Sequence, residues 1–350
     1  MPLTVLAPAL LSAVVPELSR RNVRLPNLEA LLGAGTITAA GASAEQWLGA
    51  QLGLEGAAEP PIAALRLASE ADAGTDARGA YWLCADPIAT TMGVDSVRID
   101  GAVSDLSLSE SAALTAALTA FFAQDGLRFA AATAARWYVR CHDPQRLAAT
   151  PLWRAIGGSM LPQLPGGPDA PAWRSRLNEA QMLLHAHPVN AARAEAGRSP
   201  VTSVWWWGGG SWPEFGPAAI DAVRGGPHWV RAACAAAGIE FQPLDASPAP
   251  DLAPGATHAL LILDDEWEES ALTPDALPQW DETWFGPLRA ALAAGRLDRA
   301  ALVFPWSEGT LRVELEAARP SGWRRWRSLL GARRPLPAPP LAESLRAFLR

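Results

Sequence analysis

Apolar and polar positions fall along this chain in blocks that fit short buried strands and amphipathic helices. Residues 3–7 form an apolar run of the length of a strand buried on both faces. Residues 9–20 and 25–32 follow with helical spacing, the second opened by Pro26 in its first turn. A strand followed by helices favours an α/β fold. Further helical segments span 43–68, interrupted by Glu59-Pro60-Pro61. Residues 72–78 make a polar turn, and 80–84 read as a strand.

The pattern changes between residues 87 and 141. A strand at 97–99, an amphipathic helix at 108–122 and two strand candidates at 127–130 and 136–140 predict a small inserted α+β subdomain. A Gly- and Pro-rich linker at 157–171 leads into a helix at 172–185. Beyond it come a strand carrying Trp205-Trp206-Trp207, a helix near 226–237, a strand at 259–263, a helix near 284–294 and a strand at 300–304. Strands alternating with helices imply a parallel sheet covered on both faces. The predicted organisation is an α/β core in two parts, 1–86 and 142–322, an insertion at 87–141, and a basic Pro/Arg-rich tail at 323–350.

Composition narrows the classes. At 350 residues and 49% hydrophobic content the chain can fill a sizeable core, and about 150 residues per domain gives roughly two domains. The net charge of −7 argues against a dedicated nucleic-acid binder, which neutralises phosphates with a basic face. All 29 basic residues are arginine. Cys84, Cys141 and Cys234 are widely spaced and odd in number, so neither a disulfide framework nor a zinc knuckle is expected, and a reducing cytoplasm is the simplest setting. The N-terminal apolar run lacks a basic flank and meets Glu17 and Arg20 early, unlike a signal peptide, and no stretch of 18 apolar residues predicts a membrane span. The tail, with Trp323, Trp326 and its arginines, reads as a solvated basic segment that offers a contact surface for a protein partner or an anionic membrane.

Hydrogen-bonding chemistry concentrates between residues 178 and 210. Asn178, Gln181 and His185 recur at i, i+3 and i+7 on one helical face, followed by His187, Asn190 and Arg193. Gly208, Gly209 and Gly210 then offer backbone with no side chains to hold an anion away. Forked guanidinium donors suit carboxylate or phosphate, so these residues predict a pocket for a small anionic metabolite. The alternative is structural: hydrogen-bonded histidines, and a tryptophan run in the core with a glycine turn. Asp86, before Pro87, either orients a ligand hydroxyl or caps a turn. Asp264, Asp265, Glu266, Glu268 and Glu269 either form a solvated acidic loop or hold one Mg²⁺ or Ca²⁺. No cofactor motif is present, and no metal-ligand set is assigned.

Several segments carry a resemblance. Leu25-Pro26-Asn27-Leu28-Glu29-Ala30-Leu31-Leu32-Gly33-Ala34-Gly35 resembles a segment near the start of alkaline-phosphatase superfamily enzymes. The stretch from His187-Pro188-Val189-Asn190-Ala191-Ala192-Arg193 to Gly208-Gly209-Gly210 is similar to archaeal-type cofactor-independent phosphoglycerate mutases. With Trp82-Leu83-Cys84-Ala85-Asp86-Pro87 and Asn178-Glu179-Ala180-Gln181-Met182-Leu183-Leu184, the combination also resembles a bacterial group of RpfE-type regulatory proteins.

The mutase resemblance implies an alkaline-phosphatase-like, mostly parallel sheet covered by helices. It also implies two divalent metals held by Asp and His, with a serine nucleophile; Ser43 falls where that serine would be. The chain departs from the pattern at the ligands. The first strand is followed by Ala7-Pro8-Ala9 where the family has Asp-Gly. The later ligand pairs are replaced by Leu263-Asp264-Asp265-Glu266-Trp267 and Phe304-Pro305-Trp306-Ser307, and no histidine follows His258. The expectation is a pseudoenzyme that binds a small anionic metabolite in a regulatory role. An active phosphatase or mutase using Ser43 and a ligand-free interaction scaffold are the alternatives.

Overall fold

The computed structural model describes residues 2–8, 10–11, 24–54, 59–70, 77–93, 96–244, 256–264, 273–306 and 309–317. Most of the helix expected at 9–20, the acidic residues Asp265, Glu266, Glu268 and Glu269, and the 323–350 tail lie outside the described residues. In chain order the strands are β1 (Pro2–Leu6), β2 (Thr36–Ala40), β3 (Tyr81–Met92), β4 (Val97–Ala102), β5 (Arg128–Ala131), β6 (Trp137–Cys141), β7 (Ser203–Gly210), β8 (Ala222–Arg224), β9 (Glu240–Gln242), β10 (Ala259–Ile262), β11 (Arg299–Trp306) and β12 (Gly309–Glu316). The fold is mixed α/β, with one mostly parallel sheet and one antiparallel sheet.

Two compact units share these elements. The first comprises residues 1–53, 217–227 and 237–350. Its sheet has the order β2-β12-β11-β1-β10-β8-β9, in which β11, β1, β10, β8 and β9 run parallel and β12 and β2 are antiparallel additions at one edge. β1 is central, Leu3 pairing with Ala259 on one side and Ala300 on the other. Its apolar run is what a strand buried on both faces requires. Leu3, Val5, Leu28, Leu31, Leu261, Phe285, Leu288 and Leu302 belong to one core cluster.

The Pro-Asn-Leu-Glu segment opens the helix Pro26–Ala34, whose N-cap position, Leu25, offers no side-chain acceptor. Asp281 supplies it from far along the chain. Its carboxylate accepts from Leu28 N at 2.8 Å and from Asn27 N at 3.0 Å, and Asn27 Nδ2 donates to it at 3.0 Å.

The second unit comprises residues 54–216 and 228–236, so it runs wider than the 87–141 insertion expected from sequence. The reason is β3. It runs through Pro87 to Met92 rather than ending near residue 84, and pairs antiparallel with β4 and β6 on one side and β7 on the other. The triple tryptophan therefore belongs to an antiparallel strand, not to the parallel sheet. Trp205, Trp206 and Trp207 are all buried, and the Trp206 ring meets Trp173 at 5.1 Å edge-on and Phe129 at 5.8 Å.

Candidate functional site

The polar stripe of the second unit divides in two: Asn178 and His185 face solvent, while Gln181, His187, Asn190 and Arg193 spend hydrogen bonds within the protein. The helix Ala170–His185 exposes Asn178 and His185 to solvent, whereas Gln181 turns inward and donates to Ser203 Oγ at 3.2 Å. His187 caps the next helix, Pro188–Glu195, its Nδ1 accepting from Val189 N at 3.2 Å. The Asn190 amide is saturated: Nδ2 donates to the Leu184 and Val201 carbonyls and Oδ1 accepts from Val201 N, each at 2.8 Å. Together these bonds stitch the 184–203 segment to the start of β7.

Arg193 is 0% exposed, and all three guanidinium nitrogens have partners. Nε donates to the Ser199 carbonyl at 2.8 Å, one terminal nitrogen to Glu110 at 3.2 Å and the other to Asp105. Arg198 reaches the same Glu110 carboxylate, completing a cluster of two arginines and two acids. The expectation that Arg193 offers its fork to a ligand is corrected: burial forces the guanidinium to find internal acceptors. Sequence reasoning missed Asp105 and Glu110, although Ser107-Leu108-Ser109-Glu110 is a legible capping box at the start of the helix Leu108–Phe121. The Ser107 amide bond first, and the Ser107 hydroxyl and Arg193 after it, hold the Glu110 carboxyl down at about 2, against a smaller upward push from burial.

Gly208–Gly210 do not form an open backbone cradle either. They continue β7 along β3, with a register irregularity and a left-handed Gly208 (φ 62°) where the strand bulges. A Cβ at Gly210 would lie 2.4 Å from Pro61 Cβ, and one at Gly209 would lie 2.5 Å from the Tyr81 hydroxyl. The glycines are there because neighbouring atoms occupy the space of side chains.

Asp86 is neither a turn cap nor an exposed ligand group. It sits inside β3 and takes a bidentate pair from Arg66, at 2.5 and 3.2 Å, together with a 2.6 Å hydrogen bond from Trp207 Nε1. Arg66 also donates to Tyr138 Oη at 2.9 Å and stacks near the Tyr138 and Trp207 rings.

In the first unit, Ser43 caps the helix Ala44–Gln51. Its Oγ accepts from Gln46 N at 3.2 Å while Gln46 Oε1 accepts from Ser43 N at 3.0 Å. The carboxyl ends of parallel strands are where α/β sheets present ligand groups. Here those ends hold Ala7, Leu263 and Phe304, each at most 2% exposed. These three side chains carry no donor atom, and the half-buried Asp264 after Leu263 is a single carboxylate where the two-metal centre implied by the mutase resemblance needs several ligands. Among the described residues, no group of three or more His, Cys, Asp or Glu side chains is placed to hold a metal.

His258 is held at the other end of β10. Nδ1 lies 3.1 Å from the Ala219 carbonyl, which can only accept, so that nitrogen carries a proton, and Nε2 is hydrogen-bonded with the Thr4 hydroxyl at 3.0 Å. The thiols offer no ready nucleophile: burial pushes Cys141 and Cys234 up to about 12.

No family model matches the chain. It is 37% identical over 68 residues to the 2,3-bisphosphoglycerate-independent phosphoglycerate mutase of Methanosarcina barkeri, a match spanning 19% of this chain and 17% of that protein. It is 36% identical over 81 residues to the probable enzyme of the same name from Geobacter sulfurreducens, spanning 20% of each. The chain thus spans about a fifth of the length of the curated relatives it matches. Among solved structures, the PH0037 protein from Pyrococcus horikoshii superposes with a TM-score of 0.49 at 11% identity, covering 91% of this chain and 87% of that one. The cofactor-independent phosphoglycerate mutase from Thermoplasma acidophilum gives 0.39 at 16% identity, covering 90% and 89%. The curated relatives are phosphoglycerate mutases, and the expected likeness to the RpfE-type regulatory group is not supported by them. Over part of its length, the chain is related to the cofactor-independent phosphoglycerate mutases.

Proposed function

We propose that this protein is a non-catalytic relative of phosphoglycerate mutases that binds a small phosphorylated or carboxylated metabolite in a regulatory role. The observation that carries the reading is the identity of the strand ends in the first unit. Ala7, Leu263 and Phe304 pack there as core, at the place where a two-metal phosphoryl-transfer site would need oxygen and imidazole donors. Ser43 supports it, because its hydroxyl already serves the helix cap. Binding without turnover leaves ligand occupancy as the signal.

Two measurements on the full chain test this reading. Mutase activity is assayed with 3-phosphoglycerate in the presence of Mn²⁺ or Mg²⁺, and the thermal midpoint of metal-free protein is followed against 3-phosphoglycerate and inorganic phosphate. A ligand that binds only the folded state raises the midpoint. The expected result is a metal-independent rise and no turnover. Turnover abolished by Ser43→Ala would overturn the non-catalytic reading, and an unmoved midpoint would overturn the ligand.

A further inference from the structure

The second unit contains a cleft of about 520 Å³ whose lining includes Arg128, Arg140, His142, Thr119 and the backbone at Gly126. The antiparallel register of β5 and β6 sets Arg128 directly opposite Arg140. Residues in that relation project to the same face with Cβ atoms about 5 Å apart, and like charges so placed repel.

Neither guanidinium has a carboxylate partner among the described residues, and none of the cleft-lining residues is acidic. Elsewhere in this unit most arginines reach a carboxylate, while Arg174 and Arg231 donate to backbone carbonyls instead. Arg66 pairs with Asp86, Arg136 with Glu70, Arg146 with Asp169, Arg176 with Asp125, and Arg193 and Arg198 share Glu110. Arg128 and Arg140 differ from these in being set face to face on adjacent strands along a cleft that no acidic residue lines. Two adjacent guanidinium forks provide the donor geometry that a phosphate dianion accepts, and the volume is that of a small-molecule site. Beyond Arg140 the same cross-strand row continues into Trp82, which is buried, so the charged part of the row ends at the cleft.

We propose that this cleft binds the phosphate group of a small phosphomonoester between Arg128 and Arg140. It rests on the ligand-binding reading above and gives that reading a place in the fold that draws on no residue of the 178–210 stripe.

The test is isothermal titration of the metal-free full chain with inorganic phosphate and with 3-phosphoglycerate as probes. The titrations are repeated on Arg128→Gln, Arg140→Gln and, as a control for lost surface charge, Arg98→Gln. Both cleft arginines are exposed, so their variants are expected to fold, with unliganded thermal midpoints at or above that of the parent. The expected result is binding by the parent, a loss of about tenfold or more in each cleft variant, the scale of a charge-assisted hydrogen bond, and no change in Arg98→Gln. If the parent binds and all three variants bind equally, the cleft assignment falls while the ligand-binding reading stands. If the parent binds neither probe, both fall together.

Discussion

Arg66 and Asp86 form a bidentate ion pair with both side chains only 4% exposed, roofed by the rings of Tyr138 and Trp207. Such a pair resists being broken more than it adds to stability, because removing one partner strands a buried charge. Asp86→Ala is expected to cost about 3 to 5 kcal/mol in urea unfolding. The double variant Arg66→Met with Asp86→Leu is expected to recover most of that loss. A single variant within about 0.5 kcal/mol of the parent would show that the pair is solvated.

Glu110 links stability to acid. Its folded-state value of about 2 lies below that of an unfolded glutamate, so the folded form gains from ionisation. That contribution is fully present above the unfolded value, near 4.3, and is lost as pH falls toward 2. Thermal midpoints of the parent should therefore drop between pH 5 and 2 more steeply than those of Glu110→Gln, which starts lower at neutral pH. Parallel curves would contradict this.

The glycines of β7 are sensitive to a single methyl group. Gly210→Ala places a Cβ 2.4 Å from Pro61 Cβ and 3.0 Å from its Cα, so strand or helix must move. A loss of about 1 to 3 kcal/mol is expected, the usual cost of overpacking. Gly41→Ala is the contrast: it meets no atom within 4 Å and its backbone lies outside the left-handed region. Equal losses at the two positions would mean that space at Gly210 does not decide.

The Arg128–Arg140 pair predicts a gain on removal. Arg128→Gln is expected to stabilise the unliganded protein by a few tenths of a kcal/mol at low ionic strength, an advantage that fades near 1 M salt as screening shortens to about 3 Å. Chemical denaturation at the two salt concentrations measures it.

Much of the fold was legible because burial writes itself into composition. The apolar run at 3–7 became β1, that at 259–263 became β10, and the capped amphipathic stretch at 108–122 became the helix Leu108–Phe121. β12 went unread although Leu311, Val313 and Leu315 alternate with Arg312, Glu314 and Glu316 in the pattern of a half-buried strand. β2 left little to read, since most of its residues are exposed.

The site was less legible, for a physical reason. Asn190 and Arg193 look the same in sequence whether they face a ligand or the protein. For Arg193 what decides is Asp105 and Glu110, more than 80 residues earlier, and for Asn190 the Leu184 and Val201 backbone; those contacts exist only once the chain has folded. Asp86 was misplaced in the same way, because its partner Arg66 lies on another element.

The position of β1 sets an order on biosynthesis. Its two neighbours, β10 and β11, lie more than 250 residues downstream, so β1 leaves the ribosome long before either exists. At about 5 to 20 residues per second, that interval is on the order of 15 to 60 s. The antiparallel sheet of the second unit needs nothing beyond residue 210 and can assemble during this time. The strand that finally anchors the parallel sheet is therefore the nascent segment most in need of chaperone cover.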